Sequence, residues 1–163
     1  MLIVVCYATI APFAPPDSAL AATYPIPAGV SIQDAIAAAA PGDTLLLAAG
    51  TYRERLDFTT SGQAQAPITL KGAGMGATVL FGDLRIEGAF INIEDLSIDV
   101  NGDNHDAIRL NAPAHDINLR RVQLANGAAY GIRVGNDVTG VLIEGCVIHD
   151  FDAGSQDAHG IGI

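Results

Sequence analysis

Three arginines recur at a constant interval in the sequence. Arg85, Arg109 and Arg133 are 24 residues apart, and each lies between two aliphatic residues. In a stacked β structure this spacing places like charges about 4.8 Å apart, where they repel unless they pair with acids or bind an anion. Because guanidinium groups bind carboxylates bidentately, we expect this row to bind an extended substrate that carries several carboxylates. The alternative is pairing within the chain to loop acids such as Asp83, Asp106 or Asp137.

A second group of polar residues occupies the last loop-like segment. His149, Asp157 and His159 are our candidate catalytic residues, because imidazole and carboxylate groups can transfer protons. Asp150 and Asp152 are candidate calcium ligands, since this hard cation prefers carboxylate and carbonyl oxygens on flexible loops. The alternative is that these side chains only form turns and solvated loop surface.

An earlier segment of similar composition precedes the second arginine of the row. It carries Asn101, Asp103, His105 and Asp106. Equivalent residues that lie two coils apart in a β-solenoid are separated by only about 9.6 Å, twice the strand spacing. We therefore expect this loop and the later one to approach a common cleft.

The elements that would position these side chains are short strands in a repeat of roughly 24 residues. The pattern apolar-x-apolar-x-x-apolar-x-apolar occurs at Ile91, Ile93, Leu96, Ile98; at Ile117, Leu119, Val122, Leu124; and at Val141, Ile143, Cys146, Ile148. The three-residue segments around the arginines recur in phase with it. Alternation with period two predicts strands, and a fixed phase predicts stacked coils with a continuous core. The sequence thus indicates an all-β, right-handed parallel β-helix.

The corners of the coils carry charges that alternate in sign. Glu94, Arg120 and Glu144 occupy equivalent positions in the repeat, as do Asp95 and Arg121. Exposed pairs of this kind contribute only about 0 to 1 kcal/mol each. We therefore expect them to specify the register of the coils.

The two ends of the repeat differ. Ser31 is a good helix N-cap before the apolar face of Ile32, Ala35 and Ile36, so we expect a capping helix over the first coil. The sequence stops at Ile163, inside a predicted strand. We expect a truncated domain whose uncapped C-terminal edge favours self-association.

Composition and the N-terminus restrict the class of protein. The net charge of −10 argues against a nucleic-acid partner, which requires clustered Lys and Arg. The apolar run from Leu2 to Ala14 and the small residues Ala19-Leu20-Ala21 are typical of a signal peptide over residues 1–22. The run is too short for a membrane span. We therefore expect a secreted or periplasmic β-helix domain over residues 23–163.

Several short motifs in the first half of the chain carry a family resemblance. They are Ser31-Ile32-Gln33-Asp34-Ala35-Ile36, Pro41-Gly42-Asp43-Thr44, Gly50-Thr51-Tyr52-Arg53-Glu54 and Ala66-Pro67-Ile68-Thr69-Leu70. In these motifs the chain resembles the pectate lyase-like superfamily, closest to lyases of the alginate lyase and chondroitinase B type. The resemblance implies β-elimination on uronate polysaccharides, often with calcium. It also implies a basic catalytic residue, which would be Arg109, Arg133 or a residue past the end.

Two other functions remain open. The first is a non-catalytic β-helix that binds carbohydrate or serves as an adhesin. The second and weaker one is a pectin methylesterase-like hydrolase, which the segment from Gly50 to Glu54 also resembles. The catalytic motif Gln-Asp-Thr-Leu of that family is broken here, because Gln156-Asp157 is followed by Ala158-His159.

Overall fold

The computed structural model describes residues 21–152 and 160–163. Parallel strands form a β-solenoid of roughly 5 turns with about 24 residues per coil, which confirms the predicted fold class. The elements are β1 (Thr23–Ile26), α1 (Ile32–Ala38), β2 (Thr44–Leu47), β3 (Gly50–Arg53), β4 (Leu56–Phe58), β5 (Ile68–Lys71), β6 (Thr78–Phe81), β7 (Leu84–Ile86), β8 (Ile91–Asp99), β9 (Ile108–Leu110), β10 (His115–Gly127), β11 (Ile132–Val134), β12 (Thr139–Glu144), β13 (Val147–Phe151) and β14 (Ile161–Gly162).

The strands build three faces. The first face has the order β1-β2-β5-β8-β10-β12, and the second follows β3-β6-β8-β10-β13. The third face is a separate sheet with the order β4-β7-β9-β11-β14. Strands β8 and β10 run around the corner from the first face to the second, so they belong to both. All the described strand pairs are parallel and join residues of successive coils.

Left-handed backbone makes the corner between the first and second faces. Asp95, Arg121 and Gly145 have φ values of 57°, 51° and 62°, and the first two lie at the bend inside β8 and β10. Asp and Gly adopt this conformation more readily than other residues. Arg121 is held there by Asp95, whose Oδ1 accepts from its Nε at 2.6 Å.

Alternating charges line the same corner, as predicted. Glu94 pairs in register with Lys71 below and Arg120 above, and Arg120 pairs with Glu144. The distances are 3.5 Å for Lys71 Nζ to Glu94 Oε2 and 3.3 Å for Arg120 Nε to Glu144 Oε2. These exposed pairs favour the observed register of the coils over a register that is shifted by one residue.

Alternate residues of every face point into the core. On the third face the apolar residues that flank each arginine are buried, for example Ile108 and Leu110 at 0% exposure. Complete burial of an Ile or Leu side chain contributes about 1.5–3 kcal/mol. The arginines between them therefore point outward, because side chains alternate along a strand.

The predicted helix closes the third face. Ser31 is its N-cap, with its Oγ accepting from the Asp34 backbone N at 3.2 Å. The amide side chain of Gln33 pairs with the edge strand β4 as a neighbouring strand would. Its Nε2 donates to the Asp57 carbonyl at 3.1 Å, and its Oε1 accepts from the Asp57 N at 2.8 Å. The backbone N–H and C=O of Asp57 on the open edge of β4 thereby both have partners.

The carboxylate of Glu54 fixes the start of the helix. Its Oε1 accepts from the Ile32 backbone N at 2.8 Å. Its Oε2 accepts from the Gln33 N and the Ser31 Oγ, both at 3.3 Å. This residue lies at the turn between β3 and β4, so it ties the helix to the second coil.

Strand β1 is a feature that sequence reasoning missed. It covers the edge of the first face, pairing Thr23 to Ile26 with Thr44 to Leu47. Pro25 lies in this strand, and proline is tolerated in an edge strand. The proposed signal peptide lies almost entirely in residues 1–20, outside the described residues. Within the described part, no helix has the length and apolar character needed to cross a bilayer.

Candidate functional site

The arginine row lies on the third face in perfect register. Arg85 on β7 pairs with Arg109 on β9, and Arg109 pairs with Arg133 on β11. Asp57 on β4 continues the row below Arg85. The side chains of Arg85 and Arg109 are 47% and 44% exposed. Sequence spacing therefore placed these three guanidinium groups in one outward column.

The two lower arginines are neutralised within the chain. Arg85 Nε donates to Asp57 Oδ1 at 2.8 Å, and this hydrogen bond raises the pKa of Arg85 above its ordinary value. Arg109 contacts the buried carboxylate of Asp106, with its Nη2 at 2.6 Å and its Nε at 2.7 Å from Oδ2. The Oδ1 of Asp106 accepts from the Tyr130 backbone N at 3.1 Å.

These pairs line a cleft of about 360 Å³ on the third face. Its lining residues are Arg55, Asp57, Asp83, Arg85, His105, Asp106 and Arg109. Arg55 Nη2 donates to Asp83 Oδ2 at 3.2 Å. Three guanidinium groups therefore face three carboxylates, and the formal charges balance when His105 is neutral. A ligand carboxylate here would compete with the chain's own acids for the arginines.

Arg133 differs from the two arginines below it. Its Cζ lies 5.6 Å from the centroid of the Tyr130 ring, over the ring face. Among the residues that the structure describes, no carboxylate lies within ion-pair distance of it. Pairing within the chain thus holds for Arg85 and Arg109, whereas no carboxylate of the described residues pairs with Arg133.

The candidate catalytic histidine lies in the middle of β13 on the second face. The Nδ1 of His149 is 2.7 Å from Asp150 Oδ2, and its Nε2 is 2.8 Å from the amide Nε2 of Gln123. The Oε1 of Gln123 accepts from Ser97 Oγ at 3.0 Å. Both ring nitrogens are therefore engaged, so His149 can accept a proton only after the contact with Gln123 breaks. Asp157 and His159 lie outside the described residues.

The candidate calcium ligands do not form a cluster by themselves. Across residues 21–152 and 160–163, no three His, Cys, Asp or Glu side chains are placed to hold a metal ion together. Asp150 contacts His149, and Asp152 donates its backbone N to the Gly127 carbonyl at 3.0 Å. These side chains therefore form no metal site by themselves within the described part of the chain, and the prediction of a calcium site stays untested.

Sequence reasoning missed part of the cleft. Arg55 and Asp57 are separated from their partners Asp83 and Arg85 by 28 residues, not by the 24 of the later coils. The segment Leu56-Asp57-Phe58 does match the apolar-x-apolar pattern of Leu84-Arg85-Ile86, with which it pairs. A search that allowed a longer coil would have found this signal.

A model of the family described as Chondroitinase B matches residues 28–159. Two solved alginate lyases share the fold with a TM-score of 0.53. The PL6 family enzyme AlyGC is 22% identical over 69% of this chain and 18% of its own. The enzyme from Paenibacillus sp. str. FPU-7 is 21% identical over 78% of this chain and 64% of its own.

Pectate lyase Pel9A is also similar, with a TM-score of 0.56 and 16% identity over 80% of this chain and 50% of its own. The chain thus spans less than two thirds of each of these solved proteins. At these identities the likeness concerns the fold. No curated protein sequence matches the chain.

Proposed function

This chain belongs to the chondroitinase B family, and from that premise we propose that it acts on an acidic polysaccharide as an exported, lyase-like protein. The substrate class is a polymer that contains uronate, and the reaction is β-elimination. Its fold is that of polysaccharide lyases, and the solved proteins that resemble it are alginate and pectate lyases by name. Export is proposed from the apolar run and small residues at the N-terminus.

The observation that carries the proposal is the state of Arg133. It lies in register with Arg85 and Arg109 on an exposed face, yet within the described part of the chain it has no carboxylate partner. A guanidinium group in this state binds a uronate carboxylate without first giving up an ion pair. The column below it gives a polymer further donors at intervals of about 4.8 Å.

The chemistry of β-elimination fits such an anchor. A base removes the proton from the ring carbon next to the carboxylate, and the charge spreads onto the carboxylate oxygens. The glycosidic carbon–oxygen bond then breaks as a double bond forms, and the leaving oxygen takes a proton. A guanidinium group that binds the carboxylate stabilises the charge that develops there.

We place proton transfer on the segment that carries His149, Asp157 and His159, with Arg109 and Arg133 as the alternative bases. For His149 this requires release of its Nε2 from Gln123. Calcium dependence, with Asp150 and Asp152 among the ligands, is a further part of the proposal. It is supported by the preference of calcium for carboxylate oxygens.

The test measures binding and cleavage separately. The protein is incubated with alginate, polygalacturonate and glycosaminoglycans, with and without a chelator, while ultraviolet absorbance reports the unsaturated product. Binding to the same polymers is followed by affinity electrophoresis. We expect Arg133→Gln to weaken binding about tenfold, since a hydrogen bond between charged groups is worth about 1.5–3 kcal/mol.

Arg120→Gln is the matched control. It removes the same charge from a residue paired with Glu144 at the opposite corner, and it should leave binding unchanged. If the protein binds a polymer but no absorbance of an unsaturated product develops, the lyase proposal is refuted and the protein is a binding module. Absence of binding to every polyuronate, with the protein folded, would refute the proposal altogether.

A further inference from the structure

Arg53 is the other basic residue that stands apart from the ion-pair network. All eight Lys and Arg residues lie in the described part of the chain, and six contact carboxylates: Arg55, Lys71, Arg85, Arg109, Arg120 and Arg121. Arg53 and Arg133 make no such contact among the described residues. The chain has a net charge of −10, so two cations without an acidic partner in its described part are unexpected.

An aromatic ring holds Arg53 in the same way as Arg133. Its Cζ lies 4.6 Å from the centroid of Phe81, which pairs with it in register between β3 and β6. A cation over an aromatic face gains about 0.5–1 kcal/mol at an exposed site. The ring orients the guanidinium group, and among the described residues no side-chain or backbone acceptor contacts its N–H donors. The position is therefore ordered and still able to bind an anion.

The neighbouring acid cannot neutralise Arg53. Both carboxylate oxygens of Glu54 accept hydrogen bonds from the start of α1, at Ser31, Ile32 and Gln33. The sequence neighbour most able to pair with Arg53 is thus committed elsewhere.

The surface around Arg53 is concave and continuous with the third-face cleft. Arg53 and Glu54 line two adjoining depressions of about 550 Å³ and 270 Å³. The smaller one also contains Arg55 and Phe81, and Arg55 in turn lines the cleft that contains Arg85. Arg55 therefore lines both the depression beside Arg53, which also contains Asp103, and the cleft that contains Arg85.

We propose that Arg53, oriented by Phe81, is an additional carboxylate-binding position for the acidic polysaccharide, beyond the lower end of the arginine row. This inference rests on the proposed function, because the ligand is the same polymer. Arg133 lies three coils above Asp57 in the third-face ladder, a separation of about 14 Å along the solenoid axis. A disaccharide bound at Arg133 cannot reach Arg53, whereas an octasaccharide can.

The experiment compares chain lengths. Affinities of alginate and polygalacturonate disaccharides and octasaccharides are measured by calorimetry at low salt for the 163-residue protein, Arg53→Gln, Arg133→Gln and the control Arg120→Gln. We expect Arg53→Gln to weaken octasaccharide binding about threefold to fivefold, the scale of one exposed ion pair, and to leave disaccharide binding unchanged. Arg133→Gln should weaken both, and the control neither.

The failures of the two proposals are distinguishable. If Arg133→Gln weakens binding and Arg53→Gln affects neither oligomer, the additional position is refuted and the proposed function stands. An equal effect of Arg53→Gln on both lengths would also refute it, because the position would not be remote. If no oligomer binds the parent protein, both proposals fail. If circular dichroism shows that Arg53→Gln does not fold, Arg53→Lys is used in its place. Lysine lacks the planar, bidentate donors of arginine. Unchanged octasaccharide affinity in a folded Arg53→Lys would therefore refute the additional position.

Discussion

Replacing Glu54 by Gln should destabilise the N-terminal end of the solenoid. The carboxylate accepts three hydrogen bonds, from the Ile32 N at 2.8 Å and from the Gln33 N and Ser31 Oγ at 3.3 Å. A Gln side chain keeps one acceptor oxygen and turns an NH2 group toward the other donors. At least one backbone N–H at the start of α1 then loses its partner.

The expected cost is about 1 to 2 kcal/mol, the range measured when a helix loses its N-terminal capping acceptor. For a chain of this size, that free energy lowers Tm by roughly 2 to 8 °C. The assay is thermal and urea unfolding, combined with amide hydrogen exchange. Protection of the Ile32 and Gln33 amides from exchange should fall in Glu54→Gln. Protection of core amides such as that of Ile93 should fall only by the amount that corresponds to the loss in global free energy of unfolding.

Glu144→Gln provides the control, because it removes the same charge from an exposed carboxylate that pairs with Arg120 and makes no contact with α1 among the described residues. It should change stability by less than about 1 kcal/mol. Equal effects of the two substitutions, or unchanged protection of the Ile32 and Gln33 amides in Glu54→Gln, would show that the carboxylate does not hold the helix.

Three further predictions concern the coils. The hydrogen bond from Arg121 lowers the pKa of Asp95, so the pair stabilises the fold above the ordinary carboxyl pKa of about 4 and its contribution disappears as pH falls through the lowered value. Asp95→Asn, which tolerates the left-handed backbone, should therefore lower Tm at pH 7 but not in strong acid; a pH-independent difference would refute this. Gly82→Ala should lower the free energy of unfolding measured in urea by more than about 2 kcal/mol, since the φ of Gly82 is 153° and the added Cβ meets the Glu54 carbonyl oxygen; a neutral effect would contradict this geometry. Ile93→Ala, at a site with 0% exposure, should lower the free energy of unfolding by about 2–5 kcal/mol. A loss below about 1 kcal/mol would contradict this, because it would mean that neighbouring side chains fill the cavity.

Much of the fold could be predicted because coil stacking repeats one apolar pattern. Ile91, Ile117 and Val141 come into register as the spacing required, and Ser31 begins the helix. Strand β1 could not be found in this way, since its four residues alternate poorly and include Pro25. Its pairing with β2 is a tertiary contact that no local pattern encodes.

The site was predicted less completely. Spacing alone placed Arg85, Arg109 and Arg133 in one column, because register is a property of the backbone. It could not tell which acid each arginine contacts, since that depends on side-chain rotamers and loop paths. Asp57, one coil below, pairs with Arg85, and Asp106, in the preceding loop, pairs with Arg109.

The corner charges restrict how such a chain can change in length. Lys71, Glu94, Arg120 and Glu144 follow one another up the stack with alternating sign. Deletion of the one coil that carries Arg120 would bring Glu94 against Glu144 at about 4.8 Å, where like charges repel. Deletion of two consecutive coils would preserve the alternation. Along this edge, gene duplication or loss can therefore add or remove coils in pairs more readily than singly.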